Sequence, residues 1–141
     1  MDQLILEQKI ESLRRCTKRI ADKRPAELSQ LVNDQDLQDI LVLNLTRAVQ
    51  LCVDIGSHII SATEEPVPGT MGDVFSSLCK LKAISAVTSG AMRKAVGFRN
   101  VAIHNYDVIN WEIVFAICHK SLPDFKRFVT EVLDYAANQS G

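Results

Sequence analysis

Glycine and proline are scarce in this chain, with 6 and 4 among 141 residues, and two of each fall inside one decapeptide, "EEPVPGTMGD". Their scarcity excludes a collagen-like or low-complexity chain, and their clustering marks one clear loop. Nowhere do β-branched residues alternate with polar ones over the length of a strand, so a β-sheet is not expected. Apolar residues at 47% and charged ones at 23% are globular proportions, and nothing has the composition of a disordered tail. A chain this long is expected to form one domain, residues 1–141, with one self-sufficient core.

No uninterrupted apolar stretch approaches the roughly 18 residues that span a bilayer, and "MDQLILEQKIESLRR" lacks a secretory leader's basic region followed by an apolar run. A cytoplasmic location without membrane contact is therefore expected. The four cysteines, Cys16, Cys52, Cys79 and Cys118, stand far apart with no CxxC pair, which points to buried free thiols. With three histidines and no HExxH or Cys/His cluster, a zinc site is not expected, nor is any cofactor.

Acidic residues are missing from Val74 to Tyr106. The net charge of −1 excludes holding nucleic acid by bulk charge, yet this window carries Lys80, Lys82, Arg93, Lys94 and Arg99. It is locally +5, and the remainder is −6.

What the chain does have is helical periodicity. Leu6, Ile10, Leu13, Thr17 and Ile20 share one face of a first helix that should stop near Pro25, with a short turn of helix around Glu27 to Val32. A central helix then begins at capping residues in "NDQD" and runs for roughly eight turns. It has two apolar seams: Leu37, Leu41, Leu45, Ala48, Cys52, Ile55 and Ile59 form one, and Val42, Leu45, Val49, Val53, Gly56 and Ile60 the other. Arg47, Gln50, Asp54 and His58 form its polar stripe. After the proline-rich loop, Asp73 is expected to open a helix to about Val87, and another should start after Ser89. Asn110 suits the N-cap of "WEIVFAICHK", and Pro123 should kink or restart the chain into a final helix. The expected class is all-α, an up-and-down bundle of four to five principal helices.

The acid-free window ends in "FRNVAIHNYD", Phe98 to Asp107. At about 100° per residue, with Arg99 at 0°, Asn100 falls near 100°, His104 near 140° and Tyr106 near −20°. A polar fan at a helix end in a basic setting suits a phosphodiester. Arginine's planar fork binds phosphate oxygens, and histidine takes or gives the proton of a ribose 2′-hydroxyl or leaving oxygen near neutral pH. Asn100, one turn before His104, can orient the imidazole or a phosphate oxygen. Spacing alone favours a plainer reading, with His104 and Asn105 as a polar C-cap and Arg99 as a surface ion-pair partner.

"RNVAIHNY" resembles, position for position, the R-N-x-x-x-H-x-Y signature of the HEPN superfamily, in particular its HepT toxin branch. The context resembles it too: "DLQDILVLNLTRAVQLCVDIGSHII" is similar to that family's long second helix, "YDVINWEIVFAI" to the segment after its motif, and "SLPDF" to its proline-marked final helix. The resemblance implies a HEPN-like homodimer whose two motifs share a cleft, with the second seam of the central helix available to the partner copy. It also implies a metal-independent endoribonuclease that leaves a 2′,3′-cyclic phosphate, a toxin paired with a minimal nucleotidyltransferase (MNT) antitoxin. By position, Arg99 and His104 would be catalytic, Asn100 would support them, and Tyr106 would be the hydroxyl that the antitoxin modifies with AMP. The alternatives are a non-catalytic HEPN module serving as helical partner or substrate-binding subunit of a nucleotidyltransferase, and a plain helical dimerisation protein. Among other polar residues, Asp54 and His58 are spaced to pair at i and i+4, and His119 suits a helix C-terminus. Trp111 should pack in the core or at a subunit contact, and Arg93 and Lys94 either guide RNA or sit in solvent.

Overall fold

The computed structural model describes residues 1–139, and all regular structure among them is helical. Seven α-helices run in chain order: α1 (Gln3–Lys23), α2 (Leu28–Val32), α3 (Gln35–Ser61), α4 (Met71–Lys80), α5 (Ala86–His104), α6 (Trp111–Lys120) and α7 (Leu122–Gln139). A 3₁₀ turn, Tyr106–Val108, joins α5 to α6. The count exceeds the expected four to five because the short α2 is a helix of its own and Ser121 separates α6 from α7 just ahead of Pro123. Local chemistry sets most of the boundaries. Asp2, Asp34, Thr70, Ser85 and Asn110 each accept a backbone N–H of the first turn they open. α1 ends at Lys23, one residue before the residue that precedes Pro25.

Two boundaries depart from expectation. α4 ends at Lys80, not near Val87, in a Schellman turn: Ala83 N–H bonds Leu78 O and Lys82 N–H bonds Cys79 O, both at 2.9 Å, with Lys82 in the left-handed region at φ 62°. α5 opens four residues earlier than expected because Ser85 is its cap. Glu131 of α7 accepts from Ser85 N–H at 2.7 Å, Ser85 Oγ at 3.0 Å and Thr88 Oγ1 at 3.1 Å. Ser89 is buried inside that helix and donates to Phe75 O instead of capping it.

The central helix α3 spans 27 residues, and every member of both seams is buried except the half-buried Leu37. One cluster surrounds Phe75, Met92 and Phe128 between α1, α3, α4, α5 and α7. A second surrounds Leu41, Leu45 and Val114 between α2, α3 and α6, reached by Ala102 of α5. Both seams are thus filled within one chain, so the second seam is not an open face for a partner copy. At Gly56 α4 comes so close that a Cβ would stand 2.5 Å from Val74 Cγ1, which explains a glycine in mid-helix. α3 is long and apolar enough to cross a membrane by length and composition, but half of that stretch is buried against the other helices, as in a bundle's core helix. The cysteines are free, with Cys16, Cys52 and Cys118 buried and Cys79 half-buried. Burial raises the Cys52 and Cys16 thiols above the usual range and pushes Cys118 up to about 12.

Candidate active site

The four motif residues sit where α5 runs out. His104 is its last residue and Asn105 its C-cap, with Asn105 N–H bonded to Val101 O at 2.9 Å. Tyr106 opens the 3₁₀ turn, so its side chain is released from α5's periodicity. The plainer reading of the sequence is therefore half right, since Asn105 does close the helix. Arg99, however, is no ion-pair partner among the described residues.

Arg99 is half-buried against α3. Its Nη2 donates to Gln50 Oε1 at 3.3 Å, and its Nη1 to Asn100 Oδ1 at 3.2 Å. Gln50 is itself held, because its Nε2 donates to Asp54 Oδ1 at 2.9 Å. Asp54, Gln50 and Arg99 thus form a chain in which the carboxylate fixes the amide and the amide fixes the guanidinium. Arg99 Nε is buried with no partner, a donor whose desolvation, typically about 1–3 kcal/mol, is uncompensated in the free protein. Asn100 bonds Arg99, and no hydrogen bond joins it to His104.

His104 is exposed and has no hydrogen-bond partner among the described residues. Tyr106 donates through its hydroxyl to Asp39 Oδ1 at 2.6 Å, and its ring meets Trp111 edge-on with centroids 6.1 Å apart. Burial first, then the hydrogen bond and charge of Asp39, push the phenol up to about 12. Asp39 and Gln50 are eleven residues apart on α3, which places them on one face about three turns apart. Arg99 and Tyr106 are therefore both anchored on one face of α3, with His104 between them in sequence. Asp39 carried no sequence signal as a site residue; helical phase puts it on Gln50's face, but only the packing of α5 against α3 makes that matter.

Of the remaining polar candidates Lys94 is exposed and has no partner among the described residues, and the others have structural ones. His58 Nε2 donates to Asp2 O at 3.2 Å and does not pair with Asp54. His119 Nε2 donates to Pro25 O at 2.8 Å, and Arg93 donates to Ser76 Oγ and Gly72 O. Trp111 is half-buried against the second core cluster. Among the described residues no three His, Cys, Asp or Glu side chains gather as a metal site requires. The chain also carries two concave surfaces. One, of about 540 Å³, lies between α1 and α3 and is lined by Arg15, Arg19, Arg47, Gln50 and Asp54. The other, of about 890 Å³, is apolar and runs along α5, the 3₁₀ turn and α6, with Phe98, Val101, Val108 and Ile113 in its walls.

Fold and motif together define an all-helical domain that presents an anchored arginine, a free histidine and a hydrogen-bonded tyrosine from one helix end. The family described as Ribonuclease HepT-like matches residues 6–132, and the chain belongs to it. It is 35% identical over 125 residues to the mRNA nuclease HepT of Shewanella oneidensis, across 89% of this chain and 93% of that one. It is 22% identical over 135 residues to the tRNA nuclease HepT of Aphanizomenon flos-aquae, across 96% and 92%. A solved structure of the tri-AMPylated Shewanella oneidensis HEPN toxin in complex with its MNT antitoxin matches with a TM-score of 0.87 at 34% identity, over 95% of this chain and 99% of that one. Bacillus subtilis YutE, at 12% identity and a TM-score of 0.85, shares the fold.

Proposed function

We propose that this protein is a metal-independent endoribonuclease toxin, a single HEPN-like domain that acts in the cytoplasm as a homodimer and is held in check by a cognate MNT-type nucleotidyltransferase. The observation that carries this reading is the pinned Arg99, with its unsatisfied Nε, on the same helix end as the exposed His104, which has no partner among the described residues. Arg99 binds the scissile phosphate and stabilises the charge that develops on it. His104 takes the 2′-hydroxyl proton or gives one to the leaving 5′-oxygen. The 2′-oxygen attacks phosphorus, the bond to the 5′-oxygen breaks, and a 2′,3′-cyclic phosphate remains. The named activities of the Shewanella and Aphanizomenon relatives support the substrate class.

The apolar groove along α5 and α6 suits a second copy. Val87, Val101, Val108 and Ile113 are exposed along it, Val101 within the motif and Val108 just after it, so a dimer through this face brings two motifs into one cleft. The groove with Arg15, Arg19 and Arg47 opens beside Gln50 and suits the phosphates flanking the cut. Tyr106 is the acceptor for AMP, a reading supported by the AMPylated state of the Shewanella toxin with its antitoxin. Bulky anionic nucleotide groups on Tyr106, seven residues from Arg99 on the same helix end, compete with RNA for the arginine.

Induced expression tests the reading. The chain alone should arrest growth, His104→Ala should relieve the arrest, and co-expression of the adjacent nucleotidyltransferase should protect cells while adding AMP mass increments that Tyr106→Phe lacks. Arrest by His104→Ala at the parent's strength would overturn the catalytic assignment.

A further inference from the structure

The hydrogen bond from Tyr106 to Asp39 is not used in the cleavage step proposed above. Asp39 is exposed in the first turns of α3, and no Lys, Arg or His among the described residues pairs with it. Its carboxylate is therefore free to receive a proton. Tyr106 is 39% exposed, with its ring against Trp111 and its hydroxyl fixed at 2.6 Å from Asp39 Oδ1. A nucleophilic oxygen within hydrogen-bond reach of a carboxylate, and still open to solvent, is the geometry of an activated nucleophile and its base.

We propose that Asp39 is the general base for the adenylylation of Tyr106, so that the toxin supplies part of the machinery of its own neutralisation. The inference rests on Tyr106 being the AMP acceptor. In the step, Tyr106 Oη attacks the α-phosphorus of a nucleoside triphosphate held by the nucleotidyltransferase. The Oη–phosphorus bond forms as the bond from that phosphorus to the bridging oxygen breaks. Pyrophosphate leaves with the electron pair, and the phenolic proton passes to Asp39 Oδ1. The environment makes such a base necessary, because a phenol pushed up to about 12 offers almost no free phenolate near neutral pH. Proton transfer concerted with O–P bond formation avoids that scarcity, since the phenolic oxygen becomes far more acidic as the bond forms.

The test follows AMP incorporation by intact mass, with purified chain, saturating cognate nucleotidyltransferase and MgATP, between pH 6 and 9. Asp39→Asn keeps size and a hydrogen-bond acceptor but cannot take the proton. It should slow incorporation by roughly 10²–10⁴-fold at pH 7, the usual worth of a positioned base. Its rate should climb with pH as hydroxide takes over, while the parent's rate stays nearly flat. RNA cleavage by unmodified Asp39→Asn should remain within about twofold of the parent, which shows that the fold and the cleavage site are intact. Asp39→Asn labelled at the parental rate while Tyr106→Phe takes no AMP would place the base elsewhere and overturn the inference, leaving the acceptor assignment standing. A slowed rate with the parent's pH profile would reduce Asp39 to a structural role and overturn it as well. Parental labelling of Tyr106→Phe would remove the acceptor reading itself, and this inference with it.

Discussion

At the scale of single residues, the site depends on how Arg99 is aimed. A guanidinium on an exposed helix end has many rotamers, and ordering it when substrate binds costs side-chain entropy. Here α3 meets that cost in advance, because Asp54 fixes Gln50 and Gln50 fixes Arg99. Gln50→Leu should therefore lower kcat/KM for RNA cleavage by roughly ten- to a hundredfold, the kinetic equivalent of a lost hydrogen bond to a charged group, about 1.5–3 kcal/mol. The melting temperature should move little, since Gln50 is only half-buried, and steady-state kinetics beside a thermal melt would check both. The types and spacing of Arg99, Asn100, His104 and Tyr106 could be read from the sequence. Their partners could not, because Gln50 lies 49 residues from Arg99 and Asp39 lies 67 from Tyr106, distances that only helix packing closes.

At the scale of elements, boundaries with an ordinary capping residue were legible and those made by tertiary contacts were not. Asn110 and Pro123 marked α6 and α7 in the sequence as they do in the fold. The end of α4 was hidden because its Schellman turn has a lysine where glycine is usual, so the expected helix ran on past it. Lys82 holds φ 62°, a conformation that costs an L-residue roughly 1–2 kcal/mol. Lys82→Gly should stabilise the fold by about 0.5–1 kcal/mol after the added freedom of the unfolded chain is subtracted. Urea unfolding should show a higher midpoint with an unchanged slope. The start of α5 was misplaced for a related reason: Ser85 and Ser89 both have cap chemistry, and the choice is made by Glu131, 46 residues away.

At the scale of the whole molecule, the two seams of α3 show how far an apolar pattern can be read. The pattern identified the central helix, but not whether its partners belong to the same chain. Intramolecular packing fills both seams, and the unpartnered apolar surface lies instead on α5 and α6, where Val101 and Ile113 are exposed beside the motif. Val101→Asp should halve the mass seen by light scattering and abolish cleavage while leaving helicity unchanged, because the charge enters the proposed dimer face and not the core. A parent chain that is already monomeric and fully active would contradict the shared cleft. The proposed metal-free cutting of RNA by Arg99 and His104 is checked by incubating purified chain with RNA in excess chelator and analysing the product ends. Cleavage with 2′,3′-cyclic phosphate termini is expected, with a loss of about 10²–10⁴-fold in His104→Ala. Equal cleavage by parent and His104→Ala, or by neither, would contradict it.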